Sequence, residues 1–332
     1  MRKPERILVT GGAGFIGSAF IRWLFRLPGF QGHVLNLDKL TYAADLSLLK
    51  VVHGHPRYRF MQGDILDQAL VESLCEQHEI DAIVHFAAES HVDRSIASAR
   101  PFIETNVQGT LCLLEAVRKF PEIHFHHVST DEVYGALGES GSFHEQSPYR
   151  PNSPYAASKA ASDHLVRAFA NTYRLTTTIS HCSNNYGPGQ HPEKFIPHML
   201  TNALLKKPLP VYGRGANVRD WLYVDDHVEG IWRILCQGKR GETYDLGGGA
   251  ELANLDLLKL LLEILSDETG EDLRVYHSLI HFVEDRPGHD FRYAIDSSKS
   301  KEELGWEPKM ALGAGLRKTI RWVLQRLAKV KF

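Results

Sequence analysis

A chain of 332 residues with 43% hydrophobic residues is long enough for one large α/β domain and a smaller lobe. Its formal net charge of −2 gives no basis for nucleic acid or an acidic membrane surface as a partner. Met1-Arg-Lys-Pro4 runs directly into the first strand and no apolar run approaches bilayer length, so a soluble, cytoplasmic protein without a signal peptide is expected.

The first element is an apolar strand, Ile7–Thr10, running into Gly11-x-x-Gly14-x-x-Gly17 and then an amphipathic stretch, Ser18–Leu27. A strand, a glycine turn and a helix in that order suit a dinucleotide. Side chains at the glycines would hold the backbone away from a pyrophosphate, and the helix N-terminus attracts the anion. Asp38 closes the next apolar run, His33–Leu37, about twenty residues beyond Gly17, where a carboxylate accepts bonds from both ribose hydroxyls and repels a 2′-phosphate. The cofactor expected is NAD rather than NADP.

Further strands are expected at Tyr58–Gln62, Ala82–Phe86, His124–Ser129 and Thr176–His181, with helices at Asp67–Gln77, Pro101–Lys119 and Pro154–Thr172. This alternation predicts a Rossmann-type, doubly wound parallel sheet covered on both faces, with ligands at the carboxyl ends of its strands. Asp64, after the third strand, is in place to reach an adenine amine. Ala87 and Ala88, after the fourth, are small enough for a cofactor to lie against the backbone. The character changes near Ser183, where prolines punctuate short segments. Residues 1–182 are therefore read as the NAD-binding domain and 183–332 mainly as a substrate-binding lobe. Residues 243–247 form a candidate strand returning to the main sheet, and Leu255–Leu265 a helix with Asn254 as its cap.

Cys75, Cys112, Cys182 and Cys236 are scattered, with no C-x-x-C pair and no histidine at ligand spacing, so reduced thiols and no metal site are expected. The histidines, including His124, His126 and His127, read as core or surface groups.

Tyr155-Ala-Ala-Ser-Lys159 opens a helix with Asn152 or Ser153 as its cap, and four-residue spacing puts phenol and ammonium on one face. A lysine one turn away, together with a nicotinium ring, would lower the tyrosine's pKa from its usual ~10 and make it a usable base. Asp131 and Glu132 follow Thr130 at the end of the fifth strand. Two adjacent acids facing a cofactor suggest elimination, which needs an acid and a base together.

The glycine turn, the Tyr-x-x-x-Lys pair and the two-lobed length resemble the extended short-chain dehydrogenase/reductase family, over roughly residues 5–306. Thr130-Asp131-Glu132 is similar to the triplet of the nucleotide-sugar 4,6-dehydratases. The runs Ala87–Asp93, Glu104–Asn106, Ser183–Pro188, Pro192–Lys194, Arg219–Asp225 and Asp285–Asp290 agree with it. Two departures are visible: His191 stands where an aromatic residue is usual, and Phe195 where leucine is.

The resemblance implies a lyase acting on a nucleotide-hexose, dTDP-glucose first and UDP-glucose as the alternative. GDP-mannose is less favoured because Asp38 points away from NADP. It implies Tyr155 as base for the sugar 4-hydroxyl, Thr130 bonding the same oxygen, Lys159 beside them, Glu132 as base at carbon 5 and Asp131 as acid at the 6-hydroxyl. Cofactor contacts are implied at Gly11, Gly14, Phe15, Ile16, Gly17, Asp38, Lys39, Leu40, Thr41, Asp64, Ile65, Ala87, Ala88, Ser90, Thr105, Tyr155, Lys159 and Asn185. Substrate contacts are implied at Ser90, Thr130, Asn184, Lys194, Phe195, Pro210, Val211, Tyr212, Arg219, Asn254, Arg286 and His289, with the two arginines on the diphosphate. Relatives of this kind pair two helices per subunit into a four-helix bundle. The apolar stripes of Pro101–Lys119 and Pro154–Thr172 therefore lead to the expectation of a homodimer.

Overall fold

The computed structural model describes residues 3–285 and 287–330. In chain order its strands are β1 (Arg6–Thr10), β2 (His33–Asp38), β3 (Tyr58–Gln62), β4 (Ala82–His85), β5 (His124–Thr130), β6 (Thr177–Cys182), β7 (Asn184–Tyr186), β8 (Leu209–Tyr212), β9 (Val218–Tyr223), β10 (Thr243–Leu246), β11 (Glu251–Ala253) and β12 (Ile280–Val283). Seven of them form one sheet in the order β3-β2-β1-β4-β5-β6-β10, and every pair in it is parallel. The chain reverses its winding between β1 and β4, and the crevice outside their carboxyl ends is where open α/β sheets bind ligands.

The period-two alternation of each strand divides the core. Ile7, Val9, Val34, Val84 and Val128 face the helices Phe15–Arg26 and Val224–Gln237. Leu8, Leu35, Ile83, Phe125 and Ile179 face Gln68–Gln77, Gly109–Lys119 and Pro154–Tyr173. A third cluster, with Ile196, Trp221, Leu258, Leu262 and Leu316, fills the second lobe, where β11-β9-β7 and β12-β8 form small sheets.

The chain beyond Ser183 does not stay in that lobe. Helix Val224–Gln237 packs on helix Phe15–Arg26, and β10 adds to β6 as the expected return strand. Ser300 and Trp306 then tie helix Ser298–Leu304 and the turn after it to the same edge, through hydrogen bonds to the carbonyls of Asp245 and Asp226.

Two local expectations are corrected. Asn254 is not a cap: the helix Asn254–Thr269 begins at that residue, Ala253 precedes it, and the Asn254 amide donates to the carbonyl of Asn217 in the neighbouring loop. The helix expected at Pro101–Lys119 is interrupted by a π turn at Ile103–Gln108. The cause is local. The hydroxyls of Thr110 and Ser162 both donate to the carbonyl of Asn106, at 2.6 Å each, competing with its helical bond. The Asn106 side chain is meanwhile held by Glu89 and Ser158. The wide turn carries Glu104 and Thr105 to the rim of the crevice.

Candidate active site

A cleft of about 460 Å³ runs along the carboxyl ends of β1, β2, β4, β5 and β6, within the ordinary range for a small-molecule site. Its first wall is the glycine turn. Gly11 has φ +70°, and a Cβ there would lie 2.6 Å from the Ala87 amide nitrogen; one on Gly17 would lie 2.4 Å from the Gly11 carbonyl oxygen. The helix that follows has no side-chain cap, so the amides of Phe15, Ile16 and Gly17 lie at its unsatisfied N-terminus on the cleft. Asp38 is oriented from within: its carboxylate accepts from the amides of Ala13 (2.9 Å) and Leu40 (2.8 Å). Asp64 is held by the Leu66 amide and by Lys39 Nζ at 2.6 Å. An uncapped helix end, a turn that only glycines fit and a buttressed carboxylate on one wall suit a dinucleotide.

The second wall carries the candidate chemistry. Thr130 ends β5; its hydroxyl donates to Asp131 Oδ1 at 3.2 Å and accepts from the Glu132 amide at 3.3 Å. Asp131 is only 2% exposed. Burial, then Glu132 and Asp220, push its carboxyl well above the usual carboxylate range, which favours the protonated form. Ser153, rather than Asn152, caps the following helix through a bond from the Ala156 amide, while Asn152 bonds Asp290. That helix delivers Tyr155 and Lys159 to the cleft.

Their electrostatics differ from the sequence expectation. Lys159 Nζ donates to the Val128 carbonyl at 2.9 Å and contacts His127 Nε2 at 3.3 Å. The phenol of Tyr155 is raised well above its ordinary pKa by burial and by Glu132, with only its hydrogen bond to Thr130 acting the other way. Positive charge nearby is what this phenol needs in order to act as a base. Burial brings Lys159 itself down to about 8.

The cleft also gathers Thr41, Ile65, Ala88, Ser90, Thr105, Asn184, Asn185 and Lys194. Lys194 donates to the Ser90 carbonyl at 2.8 Å, and Asn185 Oδ1 meets His227 Nδ1 at 2.8 Å. Leu40, Phe195, Pro210, Val211, Tyr212, Arg219, Asn254 and His289 lie outside its lining. Phe195 packs against Trp221, and Tyr212 against His289, in the second lobe. Pro210 and Val211 pair with His281 and Phe282 of β12. Arg219 donates to the carbonyls of Val218, Asp290 and Phe291 and lies over the Tyr293 ring. Arg286 falls outside the described residues.

His191, noted above as a departure, lines the wall together with Tyr42, Glu89, Gln190 and Glu193, to which the sequence assigned no role. Glu89, His191 and Glu193 lie within or beside the runs Ala87–Asp93 and Pro192–Lys194, which is the signal the sequence offers for them. His191 takes up the aromatic position edge-on to Tyr42, at 5.7 Å between ring centroids. Arg94 lies over the ring of Tyr42, 3.7 Å from its centroid, and bonds Glu193 at 2.9 Å.

Comparison with known proteins agrees with this geometry. A family profile described as GDP-mannose 4,6 dehydratase matches residues 8–319. The dTDP-glucose 4,6-dehydratase of Neisseria gonorrhoeae is 52% identical, covering 96% of each chain. The chain belongs to the dTDP-glucose 4,6-dehydratase family. A probable dTDP-glucose 4,6-dehydratase of Sinorhizobium fredii is also 52% identical, covering 96% of this chain and 93% of its own. Among solved members of the family, DesIV from Streptomyces venezuelae, crystallised with NAD bound, superposes with a TM-score of 0.90. It is 50% identical, with 98% of each chain covered. Among the described residues no helix is long and apolar enough to cross a membrane.

Proposed function

We propose that this protein converts dTDP-glucose to dTDP-4-keto-6-deoxyglucose and water, with NAD as its hydride carrier. The observation that carries the reading is one cleft holding both a tyrosine–lysine pair and an acid–base pair, Asp131 and Glu132. Oxidation or epimerisation requires only the first; elimination requires both.

When bound, NAD supplies a hydride acceptor for sugar carbon 4 and a hydride donor for carbon 6. The glycine turn and the amides of Phe15, Ile16 and Gly17 would hold its pyrophosphate, and Asp38 its adenosine ribose. With the positive nicotinamide ring beside it, Tyr155 would stand as the phenolate and take the proton of the 4-hydroxyl, with Thr130 bonding the same oxygen. The new ketone acidifies carbon 5, whose proton passes to the Glu132 carboxylate. Asp131, its carboxyl raised by burial, gives its proton to the departing 6-hydroxyl, which leaves as water. Glu132 then returns its proton to carbon 5. At that point Tyr155 holds one proton more than at the start and Asp131 one fewer. The Thr130 hydroxyl, bonded to both residues, offers the short return path.

Arg219 and Arg286 are the proposed clamps on the diphosphate, which for Arg219 requires exchanging its bonds to backbone carbonyls for bonds to phosphate oxygens. Asn184, Lys194, Phe195, Pro210, Val211, Tyr212, Asn254 and His289 are the proposed remaining substrate contacts. The relatives' named substrate supports thymidine over uridine. A cytoplasmic setting is supported by four unpaired thiols, and a homodimer by the exposed apolar residues Ile96, Ile103, Leu111 and Tyr173 on neighbouring helical segments.

The test is product formation from dTDP-glucose and UDP-glucose at matched concentrations, followed by nuclear magnetic resonance. The 4-keto-6-deoxy sugar should form from dTDP-glucose with no net change in the cofactor. Faster turnover of UDP-glucose would overturn the base assignment, and a 4-epimer as product would overturn the dehydratase reading.

A further inference from the structure

Behind Lys159, away from the cleft, lies a fully buried polar chain that the reaction above does not use. His127, Asp163 and His181 all have side chains with 0% exposure. Asp163 is one helical turn beyond Lys159, as Lys159 is beyond Tyr155, so the three share one face of helix Pro154–Tyr173. Asp163 Oδ2 meets His181 Nε2 at 2.9 Å and accepts from Tyr149 at 2.8 Å. The other ring nitrogen of His181 meets Asp245 Oδ1 at 2.9 Å, and Tyr134 donates to the same carboxylate. With a carboxylate at each nitrogen, His181 is an imidazolium.

The second oxygen of Asp163 points the other way, and there the arrangement is incomplete. Oδ1 lies 3.2 Å from His127 Nε2, the same nitrogen that Lys159 Nζ approaches at 3.3 Å. One nitrogen of a neutral ring cannot accept from the lysine and donate to the carboxylate at once. With the Lys159 bond made, Asp163 Oδ1 and His127 Nδ1 have no hydrogen-bond partner. An anionic oxygen left open inside the protein is costly unless a cation answers it. The ammonium of Lys159, across the His127 nitrogen, is the cation on that side.

We propose that Asp163 is a positioning residue for Lys159, a buried counter-ion whose field on the lysine is set by how much of its charge His181 neutralises. The inference rests on the reading of Lys159 as the partner of Tyr155. Burial alone would neutralise Asp163, but the bond from His181 and the His127 ring beside it hold it well below the carboxylate range. Of the charges that act on Lys159, Asp163 is the largest that favours its charged form, with Cys182 behind it. His85 and His127, both neutral, lie on the same side, and Tyr149, Arg167, Glu145 and Tyr134 surround the Asp163–His181–Asp245 end.

Two isosteric changes must then act on the lysine in opposite directions. Asp163→Asn removes the counter-ion, so Lys159 gives up its proton at lower pH. His181→Gln leaves Asp163 less neutralised, so Lys159 holds its proton to higher pH. Each shift should be on the order of one pH unit, as for a charge a few ångströms away. The direct measurement is a carbon-13 titration of the lysine ε-carbons in ligand-free protein, with Lys159→Arg identifying the signal. It needs no substrate and stands whether or not dTDP-glucose is turned over. In the active enzyme the alkaline limb of kcat should move the same way, down for Asp163→Asn and up for His181→Gln, with KM for the sugar nearly unchanged. Shifts in the same direction, or a Lys159 titration unmoved by either variant, would overturn the proposal. Should Asp163→Asn fail to fold, the upward shift in His181→Gln decides alone.

Discussion

At the scale of single residues, the cleft is a set of groups whose protons are assigned by surroundings more than by residue type. Asp131 and Glu132 are neighbours, yet Asp131 is buried and its carboxyl is raised, which suits a group that must carry a proton before it acts. Their joint role gives a sharp expectation. Asp131→Asn with Glu132→Gln keeps size and shape but removes both proton-transfer groups, so oxidation at carbon 4 should proceed and elimination should stall. Substrate added to this double variant should produce the near-ultraviolet absorbance of reduced nicotinamide without product, with turnover reduced about a hundred-fold or more. Tyr155→Phe should produce neither. Near-normal product from the double variant would return the site to epimerase chemistry.

At the scale of elements, what could be read from the sequence was whatever a local pattern encodes. The glycine turn and Asp38 are legible because backbone approach to a diphosphate admits few residues, and structure adds only that Asp38 is braced by the Ala13 and Leu40 amides. Replacing it by alanine should weaken NAD binding and improve tolerance of NADP, as titration of each cofactor would report. The π turn at Ile103–Gln108 was not legible, since its cause is a pair of hydroxyls, one of them on another helix. Nor was the Asp163–His181–Asp245 clamp, which joins a helix, β6 and β10 across long sequence separations. Tyr155 shows the same limit: the four-residue spacing was readable, but the burial and the Glu132 carboxylate that hold its proton on come from packing against another strand end.

The clamp also fixes how stability depends on pH. Despite burial, the bonds to Asp163 and Asp245 raise His181 from 6.5 to about 9, so its stabilising charge is fully present below pH 6.5 and is lost as pH rises toward 9. His126, His127 and His227 are buried and depressed, so they oppose folding as pH falls below 6.5. Lys159, depressed to about 8, works against the His181 loss only above that pH. Thermal stability should therefore peak near pH 6.5 and decline toward pH 8, with His181 contributing about 2 kcal/mol of that change at ~1.4 kcal/mol per pKa unit. His181→Gln should flatten the decline, and melting scans across that interval would show whether it does.

At the scale of the whole molecule, the cleft lies at the carboxyl ends of the strands while the long helices Gly109–Lys119 and Pro154–Tyr173 cover one face of the sheet. On and beside that surface Ile96, Ile103 and Leu111 are 43%, 43% and 37% exposed, and Tyr173 at the end of the second helix is 44% exposed. Single exposed apolar residues need no explanation, but several along one helical run suit a two-fold interface, in which the same patch meets itself. The π turn lies within this run, so an interface there would press on the segment that carries Glu104 and Thr105 to the cleft. A dimer would then brace each active site from behind without contributing a residue to it. Light scattering at micromolar concentration should give twice the chain mass, and Leu111→Glu, which places two like charges across the axis, should give monomer. The monomer should retain the glycine turn and bind NAD, but with lower thermal stability and reduced kcat as the rim of the cleft loosens. A wild-type monomer would remove the interface, whereas a dimer untouched by Leu111→Glu would move it to another face.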